Sequence, residues 1–138
     1  KKKEGRGLLA GVPASLPALL MAYRVSQKAR SVGFDWPDLQ GAVAKLDEET
    51  SEFKEAIASG IRERIEAELG DVLFTLANLA RAFDINPEDA LRKMLVRFKR
   101  RFEHMEKRLE AEGRQVKGTP MPALDALWEE AKVLESAG

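Results

Sequence analysis

The chain has 138 residues, 44% of them apolar and 33% charged, with a formal net charge of zero, enough for one domain with a substantial core. That balance excludes a disordered tail, and no run approaches 18 uninterrupted apolar residues, so no membrane partner is expected. The lack of cysteine excludes disulfides, thiolate metal sites and cysteine nucleophiles, and a single histidine, His104, removes most parts of triad or multi-histidine chemistry.

Ala and Leu number 36 against 15 for Val, Ile and Thr, which predicts an all-α fold: a bundle of four long helices plus a shorter C-terminal one. Residues 1–14, with a Lys run, three glycines and Pro13, read as a flexible lead-in or linker, and residues 15–138 as the helical domain. The first residues lack the layout of a secretory signal, so a cytoplasmic location is expected. Ser15 is the expected cap of a first helix that ends near Gly33. Asp35, Trp36 and Pro37 form a break. Leu39, Val43, Leu46, Phe53 and Ile57 then give helix two an apolar stripe as far as Ser59, where Gly60 stops it.

Helix three spans about Arg62 to Phe83. From Leu69 to Ala80 it is apolar nearly all round, which predicts burial on several sides and makes Asp71 the acid most in need of a partner. Asn86, Pro87, Glu88 and Asp89 start helix four, which continues to about Glu112 before Gly113. A shorter helix over Ala123 to Ser136 closes the chain. Helices two to four carry stripes too long for one chain to cover, so a homodimer is expected, with a tetramer as the alternative.

Charge is unevenly placed. Asp47 to Asp71 holds nine acids against three bases, while Arg92 to Arg108 holds eight bases against two acids. At 100° per residue, Lys45, Glu49 and Glu52 share one edge of the helix-two stripe, and Glu68, Asp71, Thr75 and Asn78 share an edge of helix three. Two E-x-x-[ED] pairs on consecutive antiparallel helices bring four carboxylates toward one spot. Like charges repel there, so a hard cation belongs in the middle: Mg²⁺, with oxygen ligands completed by substrate phosphates, and Mn²⁺ as a substitute.

On helix four, Lys93, Arg97, Arg101, His104 and Arg108 fall on one edge, where Arg97 and Arg101 can clamp phosphate oxygens. Each feature has a plainer reading. Acidic i,i+3 pairs usually form a solvated face, and the basic edge usually solubilises or pairs with the acidic helices. Trp36 and Trp128 read as core or cover, and His104 as solvated. A di-iron site would need Glu-x-x-His pairs, and the residue three before His104 is Arg101. A non-enzymatic helical oligomerisation or interaction module would need no metal. A nucleic-acid partner is argued against by the acidic block beside the basic one.

The run Lys45-Leu46-Asp47-Glu48-Glu49-Thr50-Ser51-Glu52, followed by Glu68-Leu69-Gly70-Asp71-Val72-Leu73-Phe74 and then Asn78 and Arg81, resembles the MazG family of nucleoside triphosphate pyrophosphohydrolases. The Gly33-Phe34-Asp35-Trp36 turn, Arg97 to Phe102 and the closing Trp128-Glu129-Glu130-Ala131-Lys132 extend the resemblance to residues 8–134. It implies an all-α, dimerising, Mg²⁺-dependent hydrolase that converts NTPs or dNTPs to the monophosphate and pyrophosphate by cleavage between the α and β phosphates. By the family pattern Glu49, Glu52, Glu68 and Asp71 would be metal ligands, and a carboxylate not fully engaged by the metal, Glu48 or Glu52, would accept the proton of the attacking water. Lys45, Arg64, Arg97 and Arg101 would contact nucleotide phosphates, while Asn78 and Trp128 would line the site. Arg97 stands where lysine is usual, and the spacer between the acid pairs is shorter than in long family members. Larger relatives carry two such domains in tandem, and the lead-in resembles the junction before the C-terminal one.

Overall fold

A short polar side chain opens the second long helix and a glycine closes it. The computed structural model describes residues 7–137; the first six residues of the expected lead-in lie outside the described residues. Among the described residues there are five α-helices and one 3-10 turn, and no strand. The turn is Leu8–Gly11, followed by α1 (Ala18–Ser31), α2 (Leu39–Ser59), α3 (Arg62–Ala82), α4 (Pro87–Glu110) and α5 (Met121–Ala137). They divide into two units, one ending at Ala90 and the other beginning at Leu91.

In the first unit α3 packs against both α1 and α2, and the 3-10 turn rests on α1. Pro17, not Ser15, occupies the cap of α1, with φ −54° and ψ 143° and no side-chain capping bond. The reason lies in Pro17 itself: it keeps the residue before it out of the helical region, so the helix begins after it. Asp38 caps α2 by accepting from the Gly41 backbone N–H at 2.8 Å. Gly60 ends it with φ +70°, a left-handed conformation that suits a residue without Cβ. Only Gly60 and Ile61 separate α2 from α3, so the two run as an antiparallel hairpin.

Small side chains fill the tightest places. Ala56 and Ala77 are fully buried and Ala42 nearly so, which lets backbones approach closely. The expected burial of α3 on several sides is not met by the described chain itself. Leu69, Leu73, Phe74 and Leu76 are each 42–45% exposed, because α1 and α2 cover only part of the helix circumference. For the same reason Asp71 is exposed rather than enclosed, and the buried acid of the first unit is Glu49.

At the end of the first unit, Asn86 accepts from the backbone N–H groups of Glu88 at 2.9 Å and Asp89 at 3.4 Å, capping α4 from just before it, and the rest of α4 and α5 make up the second unit. Met105, Leu109 and Ala131 are buried within this unit. No helix among the described residues is long and apolar enough to cross a membrane.

Candidate active site

Three- and four-residue steps along α2 place Lys45, Glu48, Glu49 and Glu52 on one edge, and the hairpin sets Glu68 and Asp71 of α3 against it. One oxygen each of Glu49, Glu68 and Asp71 lies within 4.8 Å of the other two, and Glu48, Glu49 and Glu52 form a second group by the same measure. Glu49 belongs to both groups and is the most buried acid in them. Of the four carboxylates expected at one spot, Glu49, Glu68 and Asp71 come together, while Glu52 is grouped with Glu48 and Glu49 and joins the other set only through Glu49.

Charge in this cluster is only partly balanced. Lys45 Nζ is 2.8 Å from Glu49 Oε2 and 3.4 Å from Glu48 Oε2. The hydrogen bond to Glu49 is the main cause that holds the Lys45 ammonium above its ordinary pKa, with the bond and charge of Glu48 adding to it against the opposing effect of burial. Glu52 titrates above the usual carboxylate range, first through burial and then through the charges of Glu49, Glu68 and Glu48. Glu49 Oε1 and Glu68 Oε1 are buried and accept no hydrogen bond among the described residues. Orphaned carboxylate oxygens at the centre of a like-charged cluster are expensive. The donor set is all oxygen, which suits a hard divalent cation, so these residues fit the ion that the pattern implies.

Asn78 sits about two turns beyond Asp71 along α3, inside a network that sequence reasoning did not anticipate. Its Oδ1 accepts from Arg81 Nε and Nη2 at 3.1 and 3.0 Å and from the Ser26 hydroxyl. Arg81 is buried, donates to Ser26 Oγ at 2.9 Å, and pairs with Asp35 Oδ1 at 2.8 Å. The available signal was an arginine at the i+3 position from Asn78, inside an apolar face where a charge needs partners.

The remaining expected residues are placed as follows. Arg64 is exposed and 4.0 Å from Glu55, outside the acid cluster. Arg97, Arg101 and Trp128 belong to the second unit. Arg97 is exposed and reaches Met94 Sδ at 3.3 Å. Arg101 donates through Nε and Nη2 to Glu135 Oε1 at 3.1 and 2.8 Å, with its guanidinium 5.1 Å from the Trp128 ring centroid. Trp128 packs on Phe98 with centroids 5.2 Å apart, consistent with the covering role read from the sequence.

His104 is not solvated as expected. It is partly buried, with Nε2 2.7 Å from Glu130 Oε2, because α5 supplies a carboxylate across from the basic edge. Arg108 bonds the same oxygen. Arg101, His104 and Arg108 thus each meet a carboxylate of α5, and Arg108 also lies 3.9 Å from Glu112. Glu130 is held below the usual carboxylate range by the Arg108 and then the His104 hydrogen bonds, and Glu135 by its bond to Arg101.

The chain is similar to the nucleoside triphosphate pyrophosphohydrolase/pyrophosphatase MazG of Thermotoga maritima, with 42% identity over 132 residues, covering 96% of this chain and 50% of that protein. It is also similar to the nucleoside triphosphate pyrophosphohydrolase of Escherichia coli K12, 33% identical over 133 residues, covering 95% of this chain and 51% of that one. The chain spans about half the length of these curated relatives. An uncharacterized Bacillus subtilis protein, YabN, is 41% identical over 71 residues, 51% of this chain and 14% of its own length. The profile of the MazG nucleotide pyrophosphohydrolase domain matches residues 38–106, half of the chain, a span that holds both acid pairs, Lys45 and Asn78. The chain belongs to the MazG family.

Proposed function

We propose that this chain hydrolyses nucleoside triphosphates, ribo or deoxy, to the nucleoside monophosphate and pyrophosphate, with Mg²⁺ as the ion held by Glu49, Glu52, Glu68 and Asp71. The observation that carries the proposal is the pair of buried, unpaired oxygens, Glu49 Oε1 and Glu68 Oε1, in a cluster with Asp71. Such a cluster is unfavourable when bare and is relieved by a dication. The names of the Thermotoga and Escherichia relatives support the reaction class. When bound, the ion supplies charge neutralisation for phosphate oxygens and acidifies water.

The chain's own residues carry the rest. Lys45 stays protonated because the glutamates beside it favour its charge, and it offers a compact cation to phosphate oxygens at the edge of the cluster. A carboxylate not fully engaged by the ion takes the proton of the attacking water: Glu48, which is exposed, outside the four-acid set and 3.4 Å from Lys45, or Glu52. Water's oxygen replaces the bridging oxygen of the α–β anhydride, and pyrophosphate leaves with that bridge. Arg64 of the first unit and Arg97, Arg101 and Trp128 of the second take nucleotide-contact roles in this reading by their match to the family pattern. Self-association of two copies is part of the same proposal, supported by the exposed Leu69, Leu73, Phe74 and Leu76 of α3.

The test is incubation with ATP or a dNTP and Mg²⁺, with the products resolved by phosphorus NMR. Monophosphate plus pyrophosphate supports the proposal. Diphosphate plus inorganic phosphate refutes the α–β assignment, and absence of hydrolysis refutes the activity.

A further inference from the structure

A cavity of about 450 Å³ opens beside the acid cluster, lined among others by Phe34, Trp36, Lys45, Phe74, Thr75 and Asn78. Lys45 belongs to both places, since its ammonium is also the partner of Glu49. Aromatic and apolar surface dominates the lining, and the size suits a heterocycle with its sugar. Two polar groups of α3, one turn apart, interrupt that surface. Both are fixed from behind.

Asn78 Oδ1 takes its hydrogen bonds from Arg81 and Ser26. Arginine has no acceptor, so the amide cannot flip without putting its N–H groups against the guanidinium. Arg81 in turn is pinned by Asp35 and Ser26. Among the described residues the hydrogen bonds of Asn78 all go to Oδ1, and Asn78 lines the cavity, so what its amide can offer a ligand there is the N–H donor. Thr75 is fixed in the opposite sense. Its hydroxyl donates to the Asp71 carbonyl at 2.8 Å, which uses its one hydrogen and leaves oxygen lone pairs. Counting along α3 away from the acids, the acceptor at Thr75 comes first and the donor at Asn78 second.

We propose that this cavity receives the nucleobase of the substrate and selects an exocyclic oxygen at pyrimidine C4 or purine C6 over an amino group there. The inference rests on the triphosphate reading above, which puts the phosphates at the acid cluster and the far edge of the base toward Asn78. In uracil, thymine, guanine and hypoxanthine that edge has a ring N–H, which donates to Thr75 Oγ1, followed by C=O, which accepts from Asn78 Nδ2. Cytosine and adenine reverse both groups: a ring lone pair meets the Thr75 oxygen and an amino group meets the Asn78 amide. Phe34, Trp36 and Phe74 supply apolar and aromatic surface for either ring.

The experiment compares kcat/KM for UTP against CTP and for ITP against ATP, each pair differing at that edge. The keto member should be favoured by roughly ten- to a hundredfold, the scale of unmatched hydrogen bonds. Asn78→Asp replaces the donor with an acceptor while keeping an oxygen for Arg81, and should erase or reverse the ratio; a merely structural role would lower both members together. If circular dichroism shows that variant unfolded, Thr75→Val takes its place and should shrink the ratio. Equal kcat/KM within both pairs, or a ratio unchanged in the folded variants, overturns the inference while leaving the hydrolase reading intact. If no triphosphate is hydrolysed, the hydrolase reading fails and calorimetry with UMP and CMP decides the cavity separately: preference for UMP supports the inference, and equal binding or none overturns it.

Discussion

Replacing Glu49 by glutamine keeps its shape and removes one charge from the centre of the acid cluster. Its ligand oxygen lies within 4.8 Å of those of Glu68 and Asp71. At effective dielectric constants of roughly 80 to 20, a like pair at that distance repels by about 1 to 3.5 kcal/mol. The Lys45 salt bridge, with the lysine side chain 38% exposed and that of Glu49 9%, offsets that repulsion. What remains is the burial of a carboxylate with Oε1 unpaired, a penalty of about 1–3 kcal/mol that a neutral amide largely escapes. Glu49→Gln should therefore melt higher than the parent in a chelator. For a chain of this length the gain is roughly 3–5 °C per kcal/mol, interpolated between small and large domains. The parent should gain about 2.7 kcal/mol at an Mg²⁺ concentration a hundred times its Kd, or about 8–13 °C. In Glu49→Gln most of that gain should vanish, along with hydrolysis. Thermal unfolding followed by circular dichroism, with chelator and with Mg²⁺, reads both effects. A variant that melts lower in chelator and keeps the full Mg²⁺ shift would refute the cluster as an ion site.

Asp71→Asn should likewise abolish hydrolysis and blunt the Mg²⁺ shift, and because Asp71 is exposed its helical signal should match the parent; full activity would remove Asp71 from the site. Ala77 has no exposed surface in α3, so Ala77→Leu should overpack the first unit by about 1–3 kcal/mol, read as a fall in melting temperature and refuted by an unchanged one. Glu130 and Glu135 have native carboxyls below the ordinary value of 4.5, so the unfolded chain binds their protons more readily. Their stabilisation is present above about pH 4.5 and is lost as pH falls through the lowered native values. Glu130→Gln with Glu135→Gln should flatten that acid limb in urea titrations, and an unchanged limb would count against the pairing. Leu73→Glu places a charge in the exposed apolar strip of α3 and should shift light scattering at micromolar concentration toward one chain; a parent that is already monomeric contradicts the self-association reading.

Periodicity and punctuation in the sequence sufficed for the helices. Asp38, Gly60 and Asn86 act locally, and the predicted breaks at Asp35–Pro37 and Gly60 are where the chain turns. The convergence of Glu49, Glu68 and Asp71 was legible too, because a two-residue link forces α2 and α3 to run antiparallel and helical phase then dictates which faces meet. Family resemblance added the reaction, which spacing alone leaves open.

Burial and partner choice were not legible, since they depend on which neighbours a helix actually acquires. Helical phase put Asp71 on the same edge as Glu68, but only the packing of α3 against α1 and α2 left Asp71 exposed and enclosed Glu49. His104 looked solvated until α5 brought Glu130 within 2.7 Å. Ser26, Asp35, Asn78 and Arg81 come from three separate stretches of chain, and no local rule joins residues more than 40 positions apart. Short-range backbone preference and side-chain period are written residue by residue, so the sequence alone determined the helices, the breaks between them and their polar edges, though not the start of α1 at Pro17. The protonation environment of each acid and the orientation of the Asn78 amide depend on contacts between distant segments, and those exist only once the helices have packed.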